Sequence, residues 1–95
     1  MKGATYLIHT ASPFPVEAPK DAKKEVIDPA VNGTLYACRA AAKHGVKRIV
    51  LTSSVVSIMH SPDRNRTMIN EETWTSVPHA DPYSQSKTLA EKAAW

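Results

Sequence analysis

Apolar residues fall along this chain in two short runs and two longer periodic stretches. The first run, residues 4–11, carries Thr5, Tyr6 and Ile8 and is stopped by Pro13 and Pro15, the signature of a buried strand. Apolar positions then recur at Val26, Ile27, Val31, Leu35, Cys38 and Ala42, a helical period that keeps one stripe toward a core. Lys43 and His44 suit the negative end of that helix, and Gly45 suits the residue after its cap. Pro29 is expected to kink the helix, and Gly33 to admit another backbone closely. Residues 46–53, centred on Ile49, Val50 and Leu51, form the second run and predict a second buried strand. Residues 57–80 are irregular and predict a long connection with one helical turn, wrapping the sheet edge. Asp81 as N-cap and Pro82 as first residue predict a final helix to Trp95, with Leu89, Ala90, Ala93 and Ala94 still in phase at its last turn.

Strand, helix, strand in that order make a parallel right-handed crossover, so the fold class is α/β. The architecture expected is part of a doubly wound, Rossmann-type parallel sheet. A parallel strand needs neighbours on both sides, so a buried strand opening the chain, with a last helix lacking a C-cap, leads us to expect an internal piece of a longer protein.

Composition narrows the function classes. Of 95 residues, 42% are apolar and 22% charged, too apolar for disorder. The net charge of +3 comes from interspersed residues, with no basic block and no aromatic residues interleaved as stacking platforms, which argues against nucleic acid as a partner. Cys38 stands alone, so the chain has neither an internal disulfide nor a zinc set. With no apolar window of membrane-spanning length and no signal-peptide run at Met1-Lys2-Gly3, a cytoplasmic protein without membrane contact is expected.

The candidate chemistry sits at two places. Ser53 and Ser54 fall at the carboxyl end of the second strand, where open α/β sheets bind ligands. Tyr83 and Lys87, in Tyr83-Ser84-Gln85-Ser86-Lys87, lie one turn apart on one helix face. A phenol ionises near pH 10, about three units from neutrality. Two unit charges about 4 Å apart at an effective dielectric of about 20 interact by about 4 kcal/mol, the same order as that gap, so an ammonium can make a tyrosine a working proton donor. Other polar residues read more plainly. His9 is a hydrogen-bonded core histidine, Cys38 a small core residue, Trp74 and Trp95 packing groups, and Arg64 and Arg66 solvated loop residues. His44, His60 and His79 lack metal-ligand spacing.

Four stretches, in order, resemble the middle of an extended short-chain dehydrogenase/reductase. They are His9-Thr10-Ala11-Ser12-Pro13, Val26 to Thr34 with Asp28-Pro29-Ala30-Val31-Asn32-Gly33, Val46 to Ser54, and Tyr83 to Lys87 followed by Thr88-Leu89-Ala90-Glu91. The similarity is greatest to the branch of dihydroflavonol reductases, cinnamoyl-CoA reductases, anthocyanidin reductases and methylglyoxal-type carbonyl reductases. It implies Tyr83 as proton donor to a substrate carbonyl and Lys87 as the residue that binds the nicotinamide ribose and lowers the tyrosine pKa. Ser54 is implied as hydrogen-bond donor to the carbonyl oxygen, with Ser53 as the alternative in this register, and Asn32 as a helix residue supporting a proton relay. Thr10, Ala11 and Ser12 match a turn that passes the cofactor, and Thr52 and Ser53 the nicotinamide side. The cofactor implied is NADP, with NAD as the alternative, and the substrate a small-molecule ketone or aldehyde, dihydroflavonol-like or smaller. The reading leaves monomer and homodimer open.

The departures from the family are equally clear. The first strand with its glycine-rich turn is lacking, since Gly3, Gly33 and Gly45 are too far apart to build one, and so are the residue that selects the cofactor and the C-terminal substrate region. Two other readings therefore stand beside the reductase. One is a nucleotide-sugar epimerase, dehydratase or hydroxysteroid dehydrogenase on the same scaffold. The other is a non-catalytic remnant that docks to another subunit.

Overall fold

The computed structural model describes residues 1–60 and 68–95. Arg64, Arg66 and the turn Ser61-Pro62-Asp63 lie outside the described residues. Strand β1 (Tyr6–His9) is followed by a π-helical turn (Lys23–Ile27) that runs into helix α1 (Asp28–Lys43), then by strand β2 (Arg48–Leu51). A single helical turn, α2 (Val56–Met59), and a 3-10 turn (Val77–His79) lead to helix α3 (Pro82–Ala94). β1 and β2 pair in parallel, with Tyr6 opposite Arg48 and His9 opposite Leu51. The α/β class and the strand–helix–strand order expected from the sequence are thus present.

The strands are shorter and more open than the apolar runs predicted. Pairing covers four residues of each run, closed by the Lys47 N–H to Thr5 carbonyl and Thr52 N–H to His9 carbonyl bonds, both 2.9 Å. Neither strand is buried on both faces. Leu7, His9 and Leu51 are half-buried on the side of α1 and α3, whereas Tyr6 and Ile8 on the other side are 67% and 69% exposed. A continuous apolar strand is suited to cover on both faces, and the described residues cover one.

Pro29 acts on the turn before it. It has no N–H, and its ring would press on the carbonyl four residues back, so the preceding turn widens to π geometry, with the Asp28 N–H bonded to the Lys23 carbonyl. At the other end of α1, Gly45 takes φ +68°, the Val46 N–H reaches the Ala41 carbonyl at 3.0 Å, and the Gly45 N–H reaches Ala42 at 3.4 Å. This is a Schellman ending, which satisfies carbonyls the helix leaves over. Gly33 does not mark a close approach: a Cβ built there meets nothing within 4 Å.

The two long helices pack against each other largely through small and hydroxyl-bearing residues, and of the predicted apolar stripes Val26 and Ala90 are the members that are buried. The buried positions are Val26, Ala30, Thr34 and Ala41 on one side, and Ser84, Ser86, Lys87, Thr88 and Ala90 on the other. Ile27, Val31, Leu35, Cys38 and Leu89 are only half-buried. Burial of the hydroxyls is tolerable because they have partners: Thr88 Oγ1 donates to the Ser84 carbonyl at 2.7 Å, Ser86 Oγ to the Tyr83 carbonyl at 2.6 Å, and Thr34 Oγ1 lies 3.4 Å from the His9 ring. A serine or threonine so satisfied packs as a small residue.

The described part of the connection before α3 packs on that helix, through α2 and the 3-10 turn. It folds back on itself, with the Thr75 N–H on the Ser57 carbonyl at 2.8 Å and the Ser76 N–H on the His60 carbonyl at 2.9 Å. Trp74 packs under the Lys92 ammonium, 5.1 Å from the ring centre, while Trp95 is exposed. Among the described residues no helix is long and apolar enough to cross a membrane.

α3 starts where the sequence places it. Asp81 is extended, and its carboxylate accepts from the Ser84 N–H at 3.1 Å and the Ser84 hydroxyl at 2.5 Å. The hydroxyl bond, more than the backbone bonds, holds the Asp81 pKa below its ordinary value of 3.8, against a smaller opposing effect of burial. A carboxyl whose pKa is lower in the folded state stabilises fully above its unfolded value and ceases to as pH falls through the folded one. Asp81→Ala is expected to lower stability by about 1 kcal/mol at pH 7 in denaturant titration. The gap to wild type should narrow below pH 3.8 as the cap takes up its proton.

Candidate active site

α3 aims one face at the carboxyl ends of the two strands. Tyr83, Lys87 and Glu91 follow one another at four-residue intervals, so they form a row along that face. Lys87 is the centre of the row. Its side chain is buried, with 8% of the residue exposed, and Nζ donates to the Thr52 carbonyl at 3.0 Å. Thr52 is the first residue after β2, and its N–H is already held by His9 at the end of β1. The ammonium thus pins the helix to the joint end of both strands. Burial pushes its pKa below that of an ordinary lysine, and the Glu91 carboxylate one turn on pulls it partly back.

Around this ammonium lies a small polar cavity of about 10 Å³, lined among others by His9, Ser12, Thr34, Thr52, Ser53 and Glu91. The His9 ring Nε2 and the Thr34 hydroxyl are 3.4 Å apart. The Ser53 hydroxyl donates to the Glu91 carboxylate, and Ser57 Oγ lies 3.3 Å from Ser53 Oγ. Ser12 Oγ is buried without a hydrogen-bond partner. A second, larger groove of about 480 Å³ opens on the far side of Ser53 and Glu91, against Cys38, Ile49, Leu51 and Trp95.

Of the residues singled out from the sequence, Ala11, Ser12, Thr52, Ser53 and Lys87 share the small cavity. Thr10 is exposed. Ser54 stands apart from that cavity, half-buried, with its Oγ accepting the Val56 N–H at 3.4 Å. Tyr83 is half-buried, and its ring meets Phe14 edge to face, with centroids 4.9 Å apart and planes at 82°. Asn32 does not join the group: it is exposed, because two residues along a helix turn the side chain by about 200°, and Thr34 occupies the inward position.

Three participants were not assigned a role from the sequence. Glu91 was legible in principle, since it stands four residues after Lys87 on the same face. Thr34 is an ordinary helix threonine until His9 is placed beside it. Phe14, 72% exposed, gives no local signal, because its contact with Tyr83 joins the loop after β1 to the start of α3.

The residues present fit the nicotinamide-ribose end of a dinucleotide. Lys87 uses one of its three N–H donors on Thr52, and Ser12 Oγ lacks a partner, so donors and an acceptor remain for vicinal hydroxyls. They do not form a cradle for the pyrophosphate, since Gly3, Gly33 and Gly45 stand apart in the sequence with no atom packed against them. Among the described residues, no group of three His, Cys, Asp or Glu side chains could hold a metal ion.

Comparison with known proteins agrees with this geometry. The chain is 40% identical to cinnamoyl-CoA reductase CAD2 of Medicago truncatula, over 100% of its own length and 31% of that protein's. It is likewise 40% identical to aldehyde reductase 2 of Sporidiobolus salmonicolor, over 100% of its own length and 32% of the relative's. Among solved structures, Gre2 of Candida albicans in complex with NADPH superposes with a TM-score of 0.78 at 33% identity, covering 97% of this chain and 30% of that one. The chain therefore spans about a third of the length of the relatives it matches. A model of one family matches residues 1–94, and on that match the chain belongs to the 3-beta hydroxysteroid dehydrogenase/isomerase family, within the extended short-chain dehydrogenases/reductases.

Proposed function

We propose that this chain is the catalytic middle of an NADP-dependent reductase that converts a small ketone or aldehyde to an alcohol. The observation that carries the reading is the buried Lys87 ammonium held on the Thr52 carbonyl at the strand ends, one helical turn from Tyr83. NADP is favoured over NAD by the likeness to the Gre2 complex with NADPH, and a carbonyl substrate by the named activities of the relatives.

The roles follow from donors and charges. A reduced nicotinamide held against Lys87 would supply the hydride for the carbonyl carbon. Tyr83 gives its phenol proton to the carbonyl oxygen, so that the alcohol leaves neutral. Lys87 turns its remaining N–H groups to the ribose hydroxyls and favours the phenolate left behind. Ser54 supports the same oxygen with a hydrogen bond. Between the two adjacent serines the donor accounting favours Ser54, because the single Ser53 proton is committed to Glu91.

A hydroxysteroid substrate is the second reading, favoured by the family model that covers residues 1–94. Incubating the full-length protein with NADPH and a panel of aldehydes, ketones, dihydroflavonols, 3-ketosteroids and nucleotide sugars separates the two. NADPH consumption confined to steroids selects the second, and sugar turnover without net consumption defeats both.

In the full-length protein, Tyr83→Phe is expected to lower kcat by about 10²- to 10⁴-fold while the thermal midpoint stays near wild type. Near-normal turnover in that variant would overturn the proton-donor role. Ser54→Ala should lose roughly 10²- to 10³-fold in kcat, on the scale of a lost oxyanion donor, and Ser53→Ala much less. Lys87 adds a pH signature. Because its folded pKa is depressed, the unfolded state binds more protons between the folded value and about 10.4, so its contribution to stability rises with pH through that window. Thermal unfolding followed from pH 7 to 11 should show that rise in wild type and a flatter profile in Lys87→Met.

A further inference from the structure

Glu91 lies on the face of α3 that carries Tyr83 and Lys87, and two separate observations converge on it. Its carboxylate accepts the proton of Ser53. It also stands one helical turn beyond Lys87, whose side chain the fold has removed from water. A buried ammonium is costly unless it is hydrogen-bonded and opposed by a negative charge. The Thr52 carbonyl accepts the hydrogen bond, and among the described residues the charge has one source on the lining of the cavity.

The other titratable and charged groups around the site do not substitute for it. β1 contributes His9, whose ring faces Thr34, and α1 contributes Cys38, which lines the neighbouring groove. β2 ends in the neutral Thr52 and Ser53, and α2 contributes the neutral Ser57. The π-helical turn against α3 buries Val26, while its Lys23 is exposed and paired with Asp28 at 3.0 Å. On α3 itself, Lys92 lies over the Trp74 ring. Among the described residues, Glu91 is the one carboxylate that shares the small cavity with Lys87.

The Ser53 bond has a chemical consequence as well. Ser53 and Ser54 are adjacent hydroxyls at the end of β2, and each has a single proton to give. Ser53 gives its own to Glu91, and the Ser57 hydroxyl, 3.3 Å away, is then placed to donate to Ser53. Ser54 accepts from the Val56 N–H, which leaves its proton uncommitted. The carboxylate therefore decides which of the two serines can address a substrate oxygen.

We infer that Glu91 is a positioning residue of this site. It keeps the buried Lys87 ammonium charged and, by engaging Ser53, reserves the Ser54 hydroxyl for the carbonyl. The inference rests on the reductase reading above, and the test separates the two.

In the full-length protein, Glu91→Gln retains an acceptor for Ser53 and removes the charge. The titration of Lys87 is followed by its side-chain ¹³Cε resonance, assigned by its loss in Lys87→Arg, a readout that does not need turnover. The resonance is expected to titrate at lower pH in Glu91→Gln than in wild type. The alkaline limb of the kcat profile should move down with it, so that turnover on that limb is lost at lower pH than in wild type. Glu91→Asp should recover part of the shift, because it restores the charge.

Glu91→Ala frees the Ser53 proton. In that background Ser54→Ala should cost about tenfold instead of roughly a hundredfold or more, because Ser53 can then act in its place. An unchanged Lys87 titration in Glu91→Gln overturns the inference even if Tyr83→Phe abolishes turnover. A Tyr83→Phe variant that keeps its turnover overturns the reductase reading even if the Lys87 resonance moves.

Discussion

The bond from the Lys87 ammonium to the Thr52 carbonyl ties together every part of the molecule that bears on chemistry. Thr52 is fixed to β1 through the His9 carbonyl, so one lysine side chain joins the last helix to both strands. Its burial makes the contact demanding. A buried ammonium must be met by an acceptor and by counter-charge, and the Thr52 carbonyl and the Glu91 carboxylate supply these.

That demand explains the composition of the helix interface. For Lys87 to reach the strand ends, α3 has to lie close to α1, and large side chains between them would hold it away. The interface is built from Ala30, Thr34 and Ala41 against Ser84, Thr88 and Ala90, small residues whose hydroxyls bond within their own helix or across to His9. Bulkier apolar groups such as Leu35, Cys38 and Leu89 fall to the margins, half-buried. The Asp81 cap fixes the first turn of α3 and hence the position of Tyr83 two residues later.

Much of this was legible in the sequence because it is local. Asp81-Pro82 marks a helix start, Gly45 a helix end, and Pro29 a disturbance in the turn before it, each through the geometry of its own residue. The spacing of Tyr83 and Lys87 states that they share a face, and the family motifs add which chemistry shares it. The burial pattern was not legible in the same way. Hydropathy placed the core of α3 at Leu89, Ala90, Ala93 and Ala94; Ala90 is buried, but the helix also buries Ser84, Ser86, Lys87 and Thr88, because a hydroxyl satisfied by its own helix costs little to bury. The exposed faces of Tyr6 and Ile8 were equally hidden, since residue type records what a strand is suited to and not what covers it.

The amino-acid sequence alone determined the order of elements, the helix boundaries and the candidate chemical groups, since these depend on contacts a few residues apart. Only the tertiary structure decided which groups meet. It brought Glu91 to Ser53, set Phe14 on Tyr83 and left Asn32 on the outside. Those pairings join segments distant along the chain, and their geometry follows from how closely α3 packs on α1 and the strand ends, which no local pattern of residues encodes.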